Sequence, residues 1–202
     1  MAMPPRPLLE RGVTMIEVMI ALLVLSVGLL GVAVTMAKSS RFAAGAWAQS
    51  AIASNLSDMA ERLRSSPNAA NANFTLTDTY EEQRTDVEAG TVVLVKDCDA
   101  TACTAAETGA FHVTQWRLGL NQTLPGAAGW LRPLSSASNE ARATSFEMAV
   151  MWFDKSNTDS SGAPAAALVC TGTETGVAER RCCPAAANAA AGVRCTRTVL
   201  VP

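Results

Sequence analysis

Arg11-Gly12-Val13-Thr14-Met15-Ile16-Glu17-Val18-Met19-Ile20 decides how this chain is read. A short basic leader, with Arg6 and Arg11, ends at a glycine. An apolar run from Val13 to Ala37 follows, with Glu17 as its one charge, before Lys38 ends it. The run is long enough to cross a hydrocarbon core of ~30 Å at ~1.5 Å per residue. A lone carboxylate in such a segment costs about 2.5–3.5 kcal/mol on insertion scales, which marks Glu17 as functional. A secretory signal peptide is one alternative. The run exceeds the ~7–15 residues of such a peptide's apolar region, and no small-residue cleavage site clearly follows. A plain single-pass anchor is another, but an anchor gains nothing from a carboxylate with no partner.

Beyond the apolar run the helix is expected to continue. From Lys38 to Ser66 there is no proline and only Gly45, while Ala, Gln, Leu, Met, Glu and Arg, all good helix formers, abound. Gln49, Ile52, Leu56, Met59 and Leu63 recur at 3-4-3-4 spacing, an amphipathic stripe seeking a domain to pack on. Ser65-Ser66-Pro67-Asn68 stops it, because a residue before proline disfavours the α region. One helix from about residue 13 to 65 is the result. Gly28 and Gly31 are its weak points, read equally as close packing sites or as a stretch able to unwind.

The remainder reads as a small α+β head. Residues 67–90 are polar and read as a loop. Thr91–Lys96 is a short strand or the lead-in to a cysteine loop, and Glu107–Asn121 a second helix ended by Leu124-Pro125-Gly126. Strands are expected at Gly129–Leu134, Thr144–Asp154, Ala165–Cys170 and Val193–Val201, with a turn over residues 155–163. In the second of these, Phe146, Met148, Val150 and Trp152 alternate with Glu147 and its neighbours. The fold class is thus a long N-terminal helix packed on three to five antiparallel strands.

Six cysteines, Cys98, Cys103, Cys170, Cys182, Cys183 and Cys195, all lie beyond the apolar run. An even number in a loop-rich exported domain reads as disulfides formed in an oxidising compartment. Cys98 and Cys103 can close locally, whereas the other four allow three pairings that the sequence leaves open. A vicinal Cys182–Cys183 bond is disfavoured because it strains the backbone. The spacing of these four, C-x11-C-C-x11-C, also lacks the C-x2–4-C pairs usual in a zinc site. No metal and no cofactor are expected. His112, the only histidine, stands without a catalytic motif and reads as structural or at the surface. Asp154 and Asp159 lack the spacing of a calcium loop. Trp47, Trp116, Trp130 and Trp152 read as core or contact residues. With net charge −2 and no run of Lys or Arg, nucleic acid is not an expected partner.

At Gly12, Val13, Thr14, Met15, Ile16 and Glu17 the chain resembles a type IV prepilin, though the family's usual first mature residue is phenylalanine. The resemblance implies cleavage between Gly12 and Val13 by the prepilin peptidase, which also N-methylates the new terminus. It further implies that Glu17 faces the positive N-terminus of a neighbouring subunit and sets register. More widely the chain is similar to PilV-type minor pilins. The matching residues are Glu61-Arg62-Leu63-Arg64-Ser65-Ser66-Pro67-Asn68, Gln115-Trp116, Leu124-Pro125-Gly126 and Val150-Met151-Trp152-Phe153-Asp154. That similarity implies a non-enzymatic, low-abundance pilin in a priming complex with other minor pilins, near the major pilin, possessing a tip location and anchoring a large tip adhesin. The implied organisation is a leader over 1–12, a transmembrane and assembly helix over 13–37 in the bacterial inner membrane, and a periplasmic head over 38–202. A minor pseudopilin of a type II secretion system shares the same leader, glutamate and helix. A membrane-tethered exported enzyme or redox protein is a reading from another class and requires a reactive thiol pair.

Overall fold

The computed structural model describes residues 12–66, 74–124, 126–134 and 145–201. Its first element, α1, runs without a break over Met15–Ser65. By contacts the chain divides after Trp47 into an N-terminal unit and a unit beginning at Ala48. In the N-terminal unit the large apolar side chains from Val13 to Met36 are exposed. Among the described residues, α1 is the one helix long and apolar enough to cross a membrane.

In the second unit the stripe finds its domain. Ile52, Met59 and Leu63 are fully buried and Leu56 is half-buried, while Gln49 at the head of the stripe stays exposed. They pack against α3 (Ala105–Thr123) through Val113, Trp116 and Leu120, and against one face of a three-stranded sheet. The sheet is antiparallel in the order β1 (Ala128–Leu134), β2 (Ser145–Phe153), β3 (Val193–Leu200). Arg132 lies opposite Glu147, and Ala149 opposite Arg197. A long N-terminal helix on a small antiparallel sheet is the α+β class expected.

The central strand departs from the half-buried pattern. Phe146, Met148, Val150 and Trp152 face the helices, but Ala149 and Met151 are buried as well. They contact Tyr80, Trp130, Cys183, Ala187 and Cys195 in a second cluster on the other face. A segment expected to be loop and strand therefore forms a covering layer.

Two further expectations are corrected, and one pair of alternatives is decided. Residues 67–90 are not all loop: α2 spans Tyr80–Glu88. Thr79 caps it, bonding the Glu82 N–H, while the Glu82 carboxylate accepts from the Thr79 N–H, a reciprocal pair that satisfies free helix-end donors. Gly90, at φ +68°, ends it, with Thr91 N–H donating to the Asp86 carbonyl and Gly90 N–H to that of Val87. The expectation for residues 67–73 lies outside the described residues. Of the two readings of Thr91–Lys96, the lead-in holds: it is irregular chain, bent at Val95 and Lys96, that runs to the cysteine loop. Ala165–Cys170 is no strand either: its one ladder contact is an isolated bridge from Val169 to Cys183. The link between it and β3 holds a short helix, α4 (Val177–Arg181), and a 3₁₀ turn at Ala185–Ala187.

Candidate processing and assembly site

Gly12 and Val13 are exposed and precede the helix, and no side chain approaches within 4 Å of the position a Cβ would take on Gly12. α1 opens at Met15, with the Thr14 carbonyl accepting from the N–H groups of Glu17 at 3.1 Å and Val18 at 3.3 Å. Glu17 thus sits in the first turn, where unpaired N–H groups and the helix dipole favour negative charge. A chain end created at Val13 would lie one helical turn before that carboxylate, the spacing at which side groups along a helix meet. Gly28 and Gly31 also stand in open surroundings.

The head is fastened by three disulfides: Cys98–Cys103, Cys170–Cys182 and Cys183–Cys195. The adjacent cysteines Cys182 and Cys183 go to different partners, and no cysteine is free. The last bond ties the covering layer to β3 beneath it. Among the described residues, no group of three or more His, Cys, Asp or Glu is placed to hold a metal ion.

Several charged groups in the head are paired for structure. Glu147 on β2 is 3% exposed, and its two oxygens accept from Arg132 on β1 and Arg197 on β3. Burial pushes its carboxyl up, but the two guanidinium groups outweigh that and hold it below its ordinary value. Glu107 caps α3 through the Thr104 N–H and pairs with Lys96, and is held down to about 2. His112, on the face of α3 nearest α1, accepts a 3.1 Å hydrogen bond at Nδ1 from Arg62, which also donates to Gln115. Burial and the nearby Arg62 charge both lower its pKa. His112 therefore joins two helices. Of the tryptophans, Trp116, Trp130 and Trp152 are core residues, while Trp47 is exposed. The pairing partners of Glu147 escaped the sequence reading because they are assembled by strand register.

The chain matches the family described as "Prokaryotic N-terminal methylation motif" over residues 9–33. No curated protein and no solved structure matches it. The motif, in register with an exposed apolar helix, supports a type IV pilin-like protein, a pilin or a pseudopilin, that is anchored in a membrane. It implies processing by the prepilin peptidase and assembly with other pilins.

Proposed function

We propose that this chain is a minor pilin of a type IV pilus, of the PilV type, that helps initiate assembly in the bacterial inner membrane and travels to the pilus tip. Residues 1–12 are the leader, 13–37 the transmembrane helix and 38–202 the periplasmic head. The peptidase cuts between Gly12 and Val13. Glu17 pairs with the new N-terminus of the neighbouring subunit, and that pairing offsets the cost of a carboxylate in hydrocarbon. The head contributes shape and contacts, not catalysis, to a complex with other minor pilins and the major pilin, and holds a tip adhesin.

The observation that carries this reading is the register of Gly12, Glu17 and the start of α1 ahead of an apolar surface that the chain leaves uncovered. The test is mass spectrometry of the N-terminus of protein taken from its native membrane, with free thiols alkylated beforehand. A start at Val13 supports the prepilin pathway, and an intact Met1 refutes it. Deleting the chain then separates the two kinds of assembly. Loss of piliation and twitching supports the pilus, whereas loss of secretion with piliation intact assigns the chain to a secretion pseudopilus.

A further inference from the structure

The two edges of the sheet are finished differently. On β1 the outer edge is closed: Leu76 exchanges backbone hydrogen bonds of 2.8 and 2.9 Å with Leu131, and the buried Gln83 amide bonds both the N–H and the carbonyl of Gly129. On β3 no backbone group from Arg194 to Val199 bonds to anything except β2 among the described residues. A groove of about 240 Å³ runs beside that edge. Its lining takes in the consecutive run Val193–Thr196, with Ala166, the half-exposed Leu168 and Arg181. Lining by consecutive residues, whose side chains alternate between sheet faces, places the groove along the strand's backbone edge. Such an edge is a template for another strand.

The same chain carries a β-prone segment with no sheet. Val92-Val93-Leu94-Val95 is β-branched or apolar throughout, and its backbone makes no hydrogen bond among the described residues. Val93 is 61% exposed and Val95 96%. Both ends are fixed, by the Thr91–Asp86 bond before it and by the Lys96–Glu107 pair and the Cys98–Cys103 disulfide after it. Holding a segment in place at both ends lowers the ordering cost of adding it to a sheet. Charge agrees: Asp97 and Asp99 beyond the segment have no cationic partner, and Arg181 at the groove has no anionic one, among the described residues.

We propose that Thr91–Lys96 of one copy of this chain docks along the β3 edge of a second copy, adding a fourth strand to its sheet. Donor and acceptor are different surfaces, so the contact is head-to-tail and leaves a free edge at one end and a free strand at the other.

The test uses the full-length chain in its native membrane, with two differently tagged copies and the photo-crosslinking residue p-benzoylphenylalanine in place of Val95 in one. Illumination joins the tagged copies, and mass spectrometry places the adduct on the β3 edge or groove of the second copy. Along a strand, consecutive N–H groups point to opposite sides. One of Val93→Pro and Leu94→Pro therefore deletes a bond to the partner. That variant lowers the cross-link yield by about tenfold, equal to ~1.4 kcal/mol. Neither variant changes the melting temperature, since that backbone is bonded to nothing within its own chain. Arg181→Glu in the acceptor also lowers the yield. Adducts elsewhere, no adduct between copies, or wild-type yield in both proline variants overturn the proposal.

Discussion

The indole of Trp116 on α3 lies directly against Gly129 on β1. A Cβ at Gly129 would fall within the Trp116 ring and press on Leu120. The same indole donates from Nε1 to the Asn55 carbonyl of α1 at 3.0 Å. One side chain thus joins helix, helix and sheet, and it seats only because the strand offers no side chain beneath it.

Gly129→Ala should therefore overpack the core. The extra methyl cannot be relieved by a flexible chain end, because Trp116 is held at its nitrogen. A loss of about 1–3 kcal/mol is expected, read as a lower denaturation midpoint at unchanged denaturant dependence. Wild-type stability would show that Trp116 has another seat.

Much of this arrangement was legible in the sequence. The 3-4-3-4 stripe ending at Leu63 named the buried face of α1, and the second helix expected over Glu107–Asn121 lies within α3. Alternation in β2 named its helix-facing residues but hid its second buried face, because Ala149 and Met151 read as neighbours of a glutamate rather than as core. α2 was missed although Thr79, Glu82 and Gly90 are start and stop signals, because its charged interior carries no apolar stripe. Ala165–Cys170 failed as a strand because scattered backbone bonds, such as Cys170 N–H to the Cys183 carbonyl, and disulfides hold that layer rather than a continuous ladder. At the membrane end the structure adds only exposure and the start of the helix to what the sequence shows, because the roles proposed for Gly12 and Glu17 would act through subunits and an enzyme outside the chain.

Glu147→Gln tests the buried ion group. The amide keeps the volume, but it offers a single acceptor oxygen and no charge to two guanidinium groups. Arg197 is the more buried of these, at 19% side-chain exposure against 49% for Arg132, and bears most of the loss. Destabilisation of about 2–3 kcal/mol is expected from thermal or chemical unfolding.

His112 gives the head a pH response. Its folded pKa lies below the ordinary 6.5, so on acidification the unfolded chain takes up its proton first. Stability is then full above about pH 6.5, falls as pH drops below it, and levels off beneath the folded pKa. The groups facing the ring are Arg62, Asp58 and Asp99. His112→Gln keeps a polar group on α3 and removes the slope. Unfolding midpoints measured from pH 7.5 to 5.5 compare the two, and equal slopes would show that the histidine is not the sensor.

The Cys183–Cys195 bond closes a 12-residue separation and fastens the covering layer to β3. Replacing both cysteines by alanine should cost about 3 kcal/mol. The unreduced wild-type chain should consume no thiol reagent, while the reduced, unfolded chain should titrate six thiols. Any thiol titrating before reduction would reopen the reactive-pair reading.

At the membrane end, Gly12 and Glu17 make separable predictions. Glu17 is exposed and, among the described residues, nothing lies within 4 Å of the position a Cβ would take on Gly12, so neither substitution should alter the folding of the head. Gly12→Ser should leave the leader attached, seen as an unshifted band and an intact N-terminus. Glu17→Ala removes the carboxylate that costs about 2.5–3.5 kcal/mol in hydrocarbon, so insertion should be as good or better. Processing should be retained as well, since Gly12 and Val13 are untouched. What should fall is incorporation into the assembled fibre, because the neighbour's N-terminal charge loses its partner. Immunoblots of sheared fibres against membrane fractions separate these outcomes. Normal incorporation of Glu17→Ala would remove the registration role while leaving cleavage at Gly12 standing.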